Sequence, residues 1–375
     1  MYLTPHPTES VTGRFRGGPH RPLMAMVEIT ARCNMACPLC FAGSTKNGAD
    51  LPLAEITRRL RNLLHTAGPV PLQISGGEPT MHPQLPKIIC GARELGFTKI
   101  ELVTNGIRIS EQGEYLKRLV EEGLTSVYLQ FDGLRKTTYL KIRGRDMSRY
   151  RLDSIEAIRA AGLCCTLAVA VVEGVNDHEL GDIVHFAANH IDTVRAVNFQ
   201  AAARFNGRFA LTTQSGGYSL DALVARIEEQ IDMESGGFST ALLGHRHCNA
   251  MSLVFLVDGK FKPLFACLSE NLLREYLGTN KREFVSDLLL GKEHFSRKHL
   301  FRPKAWSLLR QAATIFGKNP RLQTILQTKH LLLFAKSFME KSTLSCERIQ
   351  QCNYGIAAAD GVYCFCAYNN LHRTP

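Results

Sequence analysis

Three cysteines stand close together near the amino terminus, in the run CNMACPLC: Cys33, Cys37 and Cys40. Thiolates at this spacing can surround one face of a compact metal centre. Structural zinc normally takes four protein ligands, often from two C-x2-C pairs, and a fourth ligand is missing nearby. A cubane iron–sulfur cluster with three protein ligands leaves one iron open to a substrate. The spacing therefore favours a catalytic [4Fe-4S] cluster over zinc or buried free thiols.

Further cysteines follow residue 240, and they are more numerous than core packing requires. They predict a second iron–sulfur cluster, or alternatively a mononuclear iron or zinc site. The sequence leaves open which four of these cysteines would bind the metal. The candidate auxiliary ligands are Cys248, Cys267, Cys346, Cys352, Cys364 and Cys366.

The elements that must position these cysteines alternate between strand and helix over residues 23–235. The run LMAMVEIT predicts a first strand that leads directly into CNMACPLC, and five more strand–helix units follow. Such an alternation predicts a parallel sheet with right-handed crossovers. We therefore expect an α/β fold, a partial (βα)6 TIM-type barrel, whose site lies at the C-terminal ends of the strands.

The alternation fails near residue 240, which sets the expected domain boundaries. Residues 1–22 are expected to form an N-terminal arm, and residues 23–240 the partial barrel. Residues 241–375 are expected to form a cysteine-rich C-terminal region with basic helices. Within that region, SLVFLVDGKFKPLFACLS predicts a hairpin that turns at Asp258-Gly259.

Polar loops follow the second, third and fourth predicted strands, where the site is expected. In GGEPT, glycines allow close approach of a ligand, and the carboxylate can bind an ammonium group. The same run also fits an ordinary strand-to-helix turn with Thr80 as the helix cap. Asn-Gly and Asp-Gly in the other two loops are likewise common in turns. The candidate binding residues are Gly76, Gly77, Glu78, Thr104, Asn105, Gln130 and Asp132.

Together, C-x3-C-x2-C after the first strand and GGE after the second resemble the radical S-adenosylmethionine (SAM) superfamily. The resemblance implies that the open iron binds the amino and carboxylate groups of SAM. An electron then cleaves SAM, and a 5′-deoxyadenosyl radical takes hydrogen from the substrate. It also implies that Glu78 contacts the methionyl amine, and that the other loops bind the ribose or carboxylate. An aromatic residue often precedes the third cysteine in this family, whereas here Leu39 precedes it and Phe41, the candidate near the adenine, follows.

Three longer segments resemble the branch that holds pterin C-methyltransferase-like enzymes and tetraether lipid synthase: GLRKTTYLKIRGRD, VNFQAAARFNGR and CNYGIAAADGVYCFCAYNN. This resemblance implies a SPASM-like region with an auxiliary iron–sulfur cluster. Cys352 and Cys366 match its ligands, with Cys248 as a companion. Cys267, Cys346 and Cys364 are additional to that pattern.

Composition indicates a globular chain, because 45% of the residues are hydrophobic and 21% are charged. The first residues lack the apolar core of a secretory signal, and no run of about 18 apolar residues predicts a membrane span. We therefore expect a cytoplasmic location, where cysteines more often bind metals than form disulfides.

The net charge of +11 is concentrated between Lys292 and Lys341, where eleven Lys and Arg stand against only Glu293 and Glu340. Such a segment can bind phosphate groups or form a solvated helical face. Its run KHLLLFAKSFMEK predicts an amphipathic helix that either packs on the barrel or contacts a membrane surface.

These observations predict a radical SAM enzyme that abstracts hydrogen from an unactivated C–H bond and forms a carbon–carbon bond, by methylation or by coupling. Its expected partners are a small-molecule or lipid substrate and an electron donor such as ferredoxin or flavodoxin. Dehydrogenation, epimerisation or sulfur insertion is the alternative outcome of the same radical chemistry. A zinc-bearing basic nucleic-acid-binding protein is the alternative of another class, but no module that binds nucleic acid specifically is recognisable.

Overall fold

The strands of this chain are short runs rich in apolar residues. The computed structural model describes residues 12–211, 217–277, 304–316 and 329–373. The strands are β1 (Met24–Thr30), β2 (Leu39–Cys40), β3 (Leu72–Gly76), β4 (Ile100–Thr104), β5 (Ser126–Gln130), β6 (Cys164–Val171), β7 (Val194–Ala201), β8 (Arg208–Phe209), β9 (Asn249–Val257), β10 (Lys260–Pro263), β11 (His330–Lys336), β12 (Tyr354–Ala357) and β13 (Val362–Cys364).

Eight of the described strands run parallel in one sheet, in the order β11, β7, β6, β5, β4, β3, β1, β12. Six of them, β1 and β3 to β7, are the strands of the predicted strand–helix units. Each intervening helix returns the chain so that the next strand runs in the same direction. The predicted partial (βα)6 barrel is thus confirmed. The C-terminal part of the chain adds one parallel strand at each edge, β11 beside β7 and β12 beside β1.

The hairpin predicted at Asp258-Gly259 is present: β9 and β10 pair antiparallel on either side of it. Both turn residues have positive φ, 50° for Asp258 and 73° for Gly259, as a two-residue hairpin turn requires. β9 also pairs with β11, so the hairpin joins the barrel sheet. Strands from both sides of residue 240 therefore share one sheet, and the domain boundaries stay predictions.

Helices cover the outer face of the sheet. In α1 (Leu53–Ala67) the buried residues Ile56, Leu60 and Leu63 recur every three or four positions, which places them on one face of the helix. The other α-helices of the described ranges are α2 (Leu85–Glu94), α3 (Ile107–Glu111), α4 (Gly113–Glu122), α5 (Lys136–Arg143), α6 (Ser148–Ala160), α7 (Leu180–Asn189), α8 (Leu220–Gln230), α9 (Glu270–Leu277), α10 (Ala305–Ala313), α11 (Cys346–Gln350) and α12 (Phe365–Ala367).

The inward-facing side chains of β6 are less buried than its outward-facing side chains. Along β6, half-buried residues alternate with the buried Cys165, Leu167 and Val169, because successive side chains point to opposite faces of a strand. The sheet curls so that its edges meet: the Lys336 ammonium on β11 lies 5.3 Å from the centre of the Tyr354 ring on β12. We call the space enclosed by this curled sheet the lumen.

The prediction of an amphipathic helix in KHLLLFAKSFMEK is wrong. Residues His330–Lys336 form β11, which is hydrogen-bonded to β7 on one side and to β9 on the other. A short apolar run fits a buried strand or a helix equally well. Here the run is a strand, because it pairs with a strand on each side. The predicted helix is therefore absent in both of its forms, packed on the barrel or in contact with a membrane surface. None of the helices in the described ranges has the length and apolarity to cross a membrane.

Most of the remaining basic segment lies outside the described residues, apart from α10 and its neighbours.

Leu333→Ala tests the position of β11. Leu333 has no exposed surface, so the variant should lower the free energy of unfolding by about 2–5 kcal/mol. Leu152→Ala is the matched control, because Leu152 is 46% exposed on α6 and its loss should change stability by less than about 0.5 kcal/mol. Urea unfolding followed by circular dichroism measures both. A small effect at Leu333 would contradict its placement in the core.

Candidate active site

The three cysteines of CNMACPLC lie in the loop after β1 and line one cavity, which we call the first cavity. Cys37 is buried, whereas Cys33 and Cys40 are half-buried. Burial raises the pKa of Cys33 to about 12 and also raises the pKa of Cys37. A thiol with such a pKa keeps its proton in water and must lose it to bind iron. Metal binding at this site is therefore coupled to proton release.

The donor set of the first cavity fits a cluster better than a single ion. Within the described ranges, no three His, Cys, Asp or Glu side chains lie close enough together to hold one metal ion. A cubane places each thiolate on a different iron, so its ligands are farther apart than those of one ion. Three sulfur donors at the wall of an open cavity match a cluster with one iron free to bind SAM.

The glycines of GGEPT bring the loop after β3 against the cysteine loop. Gly76 has a φ of +136°, which favours glycine. A Cβ at Gly76 would lie 2.2 Å from Thr30 O, and one at Gly77 would lie 2.3 Å from Arg32 O. The N–H groups of Gly77 and Glu78 donate to these two carbonyls, each at 2.8 Å. The glycines are thus required by the protein's own backbone, and both also line the first cavity.

Glu78 is buried, and its carboxylate joins the loop after β3 to the loop after β4. Oε1 accepts hydrogen bonds from the hydroxyls of Thr80 and Thr104, each at 2.7 Å, and Oε2 accepts one from Asn105 N at 2.8 Å. Burial raises the pKa of Glu78, and these donors oppose the rise. Glu78 therefore positions Thr104 and Asn105, while its direct contact with SAM stays a prediction.

Three more of the predicted residues line the first cavity: Phe41, Asn105 and Gln130. The Asn105 amide donates to Asn34 Oδ1 in the cysteine loop at 2.8 Å, which fixes its orientation. The structure thus brings the cysteines, both glycines and these three side chains around one space. The common edge at which parallel strands end accounts for this convergence.

Asp132 lies behind the first cavity, with no exposed surface. Its oxygens accept hydrogen bonds from Arg143 Nε at 2.6 Å and Nη2 at 2.7 Å, and Oδ1 also accepts one from Ala170 N at 3.0 Å. Such a bidentate pair holds the guanidinium in one orientation. The predicted contact of Asp132 with SAM is not favoured by this geometry, because the carboxylate is already bonded within the protein. Arg143 is the member of the pair that lines the cavity.

Arg143 and Arg208 place positive charge beside the cysteines, and sequence reasoning missed both. Each of them favours the thiolate form of Cys37 against the effect of burial. Arg208 on β8 also donates to Cys37 O at 3.0 Å, and β8 pairs with β2, which contains Cys40. Cationic neighbours stabilise a thiolate-ligated cluster. The only signal in the sequence was their presence in GLRKTTYLKIRGRD and VNFQAAARFNGR.

Four of the six candidate auxiliary cysteines converge on a second cavity: Cys248, Cys352, Cys364 and Cys366. The neighbouring Cys364 thiol, together with burial, raises the pKa of Cys352. Burial also raises the pKa of Cys366. Four thiols around one cavity match the ligand set of a four-cysteine iron–sulfur cluster.

Cys267 and Cys346 do not join this group. Cys267 is half-buried at the end of a 3-10 turn, and Cys346 is exposed at the start of α11. Neither of them lines the second cavity. Four of the six candidate cysteines therefore line the second cavity and two do not, a division that the sequence left open.

Arg348 lines the second cavity, as Arg143 lines the first. Its Nε donates to Cys248 Sγ at 3.1 Å, and its Nη2 donates to His247 O and Ser337 O, each at 3.2 Å. These backbone contacts fix the guanidinium against the thiol. The arginine therefore opposes the effect of burial on the pKa of Cys248.

The two cavities share part of their walls. Aromatic rings dominate this shared wall, in which the centres of the Phe205 and Phe338 rings lie 5.8 Å apart. Phe338 also packs against Phe365 of the second cavity, with ring centres 5.2 Å apart. Aromatic contacts of this kind exclude water and lower the local dielectric. The residues that line both cavities are Phe41, Tyr128, Gln200, Phe205 and Phe338.

The chain is similar to known proteins over most of its length. The family model described as the Radical SAM superfamily matches residues 27–187. A protein of Methanocaldococcus jannaschii named 7,8-dihydro-6-hydroxymethylpterin dimethyltransferase is 31% identical over 394 residues, which cover 94% of this chain and 77% of that protein.

Two further known proteins match a smaller part of this chain. The GTP 3′,8-cyclase of Helicobacter pylori is 30% identical over 180 residues, which are 46% of this chain and 54% of the cyclase. The crystal structure of Streptococcus suis SuiB bound to S-adenosylmethionine superposes with a TM-score of 0.47 and 18% identity, over 57% of this chain and 47% of SuiB. With three cysteines on one cavity, a GGE loop beside them and a relative that matches almost the whole chain, this protein belongs to the radical SAM superfamily of enzymes.

Proposed function

We propose that this enzyme uses SAM, a [4Fe-4S] cluster and an auxiliary iron–sulfur cluster to form a carbon–carbon bond by methylating a small planar heterocycle. The observation that carries the proposal is the convergence of four cysteines on a second cavity that shares a wall with the first. The name of the Methanocaldococcus relative, a pterin dimethyltransferase, supports methyl transfer and a heterocyclic substrate.

In the first cavity, Cys33, Cys37 and Cys40 would hold the cluster and leave one iron open. When bound, the cluster supplies the electron that cleaves SAM and so starts radical chemistry. Arg143 and Arg208 keep positive charge beside the thiolates, which stabilises their ionised form. The polar side chains at the wall, Asn105 and Gln130, are available to orient SAM.

In the second cavity, Cys248, Cys352, Cys364 and Cys366 would hold the auxiliary cluster. Arg348 donates to Cys248 Sγ and would shift the electrostatic potential at that corner of the cluster. The phenylalanine wall keeps both metal sites and the substrate away from bulk water. An external one-electron donor of the ferredoxin or flavodoxin class would supply reducing equivalents.

The test of this function is methyl transfer from labelled SAM. The reconstituted enzyme is incubated anaerobically with reductant, SAM deuterated in its methyl group, and 7,8-dihydro-6-hydroxymethylpterin. Mass spectrometry should find deuterium in a pterin that has gained a methyl group. Formation of 5′-deoxyadenosine together with an unmethylated, dehydrogenated pterin would contradict the proposal.

Cys33→Ala should abolish 5′-deoxyadenosine formation, because the cluster loses one of its three ligands. The matched control is Cys90→Ala, since Cys90 lies on α2 and lines neither cavity. Chromatographic detection of 5′-deoxyadenosine after adding SAM and dithionite measures both variants. Persistence of the product in Cys33→Ala would overturn the assignment of the cluster.

Cys364→Ala should reduce the iron content of the reconstituted enzyme to about half, because one of two four-iron clusters loses a ligand. Cys346→Ala should keep the full iron content, since Cys346 is exposed and lies off the second cavity. Iron and sulfide analysis gives the result, with electron paramagnetic resonance to show which cluster remains. Equal iron in the two variants would contradict an auxiliary cluster at the four converging cysteines.

A further inference from the structure

A third cavity opens inside the lumen and adjoins both metal-site cavities. We call it the lumen cavity; it shares Tyr128 with the first cavity, and Lys336, Cys352 and Tyr354 with the second. A molecule bound in the lumen cavity would therefore have one end close to each of the other sites. The lumen residues that carry the argument are Gln73, Glu101, Tyr128, Asn198, Lys336 and Tyr354.

Glu101 and Lys336 face the lumen cavity from different strands without pairing with each other, and Arg195 also lines this cavity. Glu101 on β4 accepts hydrogen bonds from Gln73 Nε2 at 2.6 Å and from Ser126 Oγ at 3.3 Å. Lys336 on β11 lies over the Tyr354 ring, and no salt bridge of 4.0 Å or less joins it to Glu101. Burial raises the pKa of Glu101 and lowers the pKa of Lys336 to about 8. Two desolvated charges held apart are unfavourable unless a ligand bonds to both.

The lumen cavity also contains an acceptor that has no partner. Asn198 is 4% exposed, and its Nδ2 donates to the Tyr128 hydroxyl oxygen at 2.7 Å. Its Oδ1 has no hydrogen-bond partner among the described residues. A buried acceptor left unpaired costs free energy, which a ligand N–H would recover.

These groups specify the hydrogen-bonding pattern of a ligand. The Glu101 carboxylate accepts only two hydrogen bonds within the described residues and has acceptor capacity left. Glu101 and Asn198 Oδ1 can therefore accept from two donors on the ligand, whereas Lys336 can donate to an acceptor. Aromatic side chains, Tyr354 and Phe334, stand in the same wall and favour a flat ring. A cyclic amide next to an amino group presents this combination on one edge of a planar ring. A sugar could supply the donors, but it would not present a flat face to the aromatic rings.

We propose that the lumen cavity binds the substrate by such a lactam and amine edge, with Glu101 accepting from the ring N–H, Lys336 donating to the carbonyl oxygen and Asn198 accepting from the amine. This inference rests on the proposed function and names the residues that would recognise its substrate. The opposite edge of the ring would then point past Tyr128 toward the first cavity.

Binding of 7,8-dihydro-6-hydroxymethylpterin to the reconstituted enzyme, measured by anaerobic equilibrium dialysis with SAM present, tests the inference. Glu101→Gln and Lys336→Met should each weaken binding by about 10- to 100-fold, because each removes one charged hydrogen-bond partner. The matched controls are Glu114→Gln and Lys117→Met, a surface ion pair of 2.6 Å, which should bind as the unmodified enzyme does. Iron content and thermal midpoint show whether each variant is folded and loaded.

A second ligand isolates the role of Asn198. An analogue of the pterin with an oxo group in place of the amine should bind the unmodified enzyme about tenfold or more weakly, because two acceptors would face each other. Asn198→Leu should remove this preference.

The outcomes separate the two proposals. If the enzyme methylates the pterin while folded Glu101→Gln and Lys336→Met bind it with unchanged affinity, the lumen assignment is overturned and the proposed function stands. If the unmodified enzyme neither binds nor methylates the pterin, the proposed function fails for this substrate class and the lumen assignment fails with it.

Discussion

The parallel pairing of β1 with β12 is the constraint on which the relative position of the two groups of cysteines depends. β1 leads into the loop of Cys33, Cys37 and Cys40, while Cys352 precedes β12 and Cys364 ends β13, the neighbour of β12. The register that joins Met24 to Tyr354 and Val27 to Ala357 thus fixes how far apart the two sets of thiols lie. Residues that are more than three hundred positions apart in the chain become neighbours through four backbone pairings.

Charge is distributed around the sites in a consistent way. Each set of thiols has an arginine against it whose orientation is fixed by other bonds: Arg143 by the Asp132 carboxylate, and Arg348 by backbone carbonyls. Asp132 itself is buried, and removing either member of its pair would leave an uncompensated charge, an effect of about 3–5 kcal/mol. A buried ion pair therefore orients the arginine beside the first set of thiols, and backbone carbonyls orient the arginine beside the second. Glu101 and Lys336, in contrast, form no salt bridge with each other.

The sequence predicted the fold well where local pattern and topology agree. The six strand–helix units follow from apolar periodicity and from the rule that such units form parallel sheets, and the cysteine and GGE loops follow from their place after β1 and β3. β11 was not predictable in this way, because HLLLFAK fits helix or strand until β7 and β9 are available to pair with it. That Cys364 lines the second cavity and Cys346 does not likewise depends on long-range pairing, which spacing along the chain does not encode. Asp132 resembled a ligand-binding residue only until its partner Arg143 was known.

The same long-range pairing closes the lumen in which the proposed ligand would bind. A six-stranded partial barrel leaves its side open between the first and last strands, and a ligand inside it would be exposed to water there. In this chain β11 and β12 occupy that opening, and they contribute Lys336 and Tyr354 to the lumen cavity. The strands that close the barrel therefore also supply the donor and one aromatic wall of the proposed binding site. Closure and the proposed recognition are coupled, because a change that displaced β11 would both admit water and move Lys336 away from the lumen cavity.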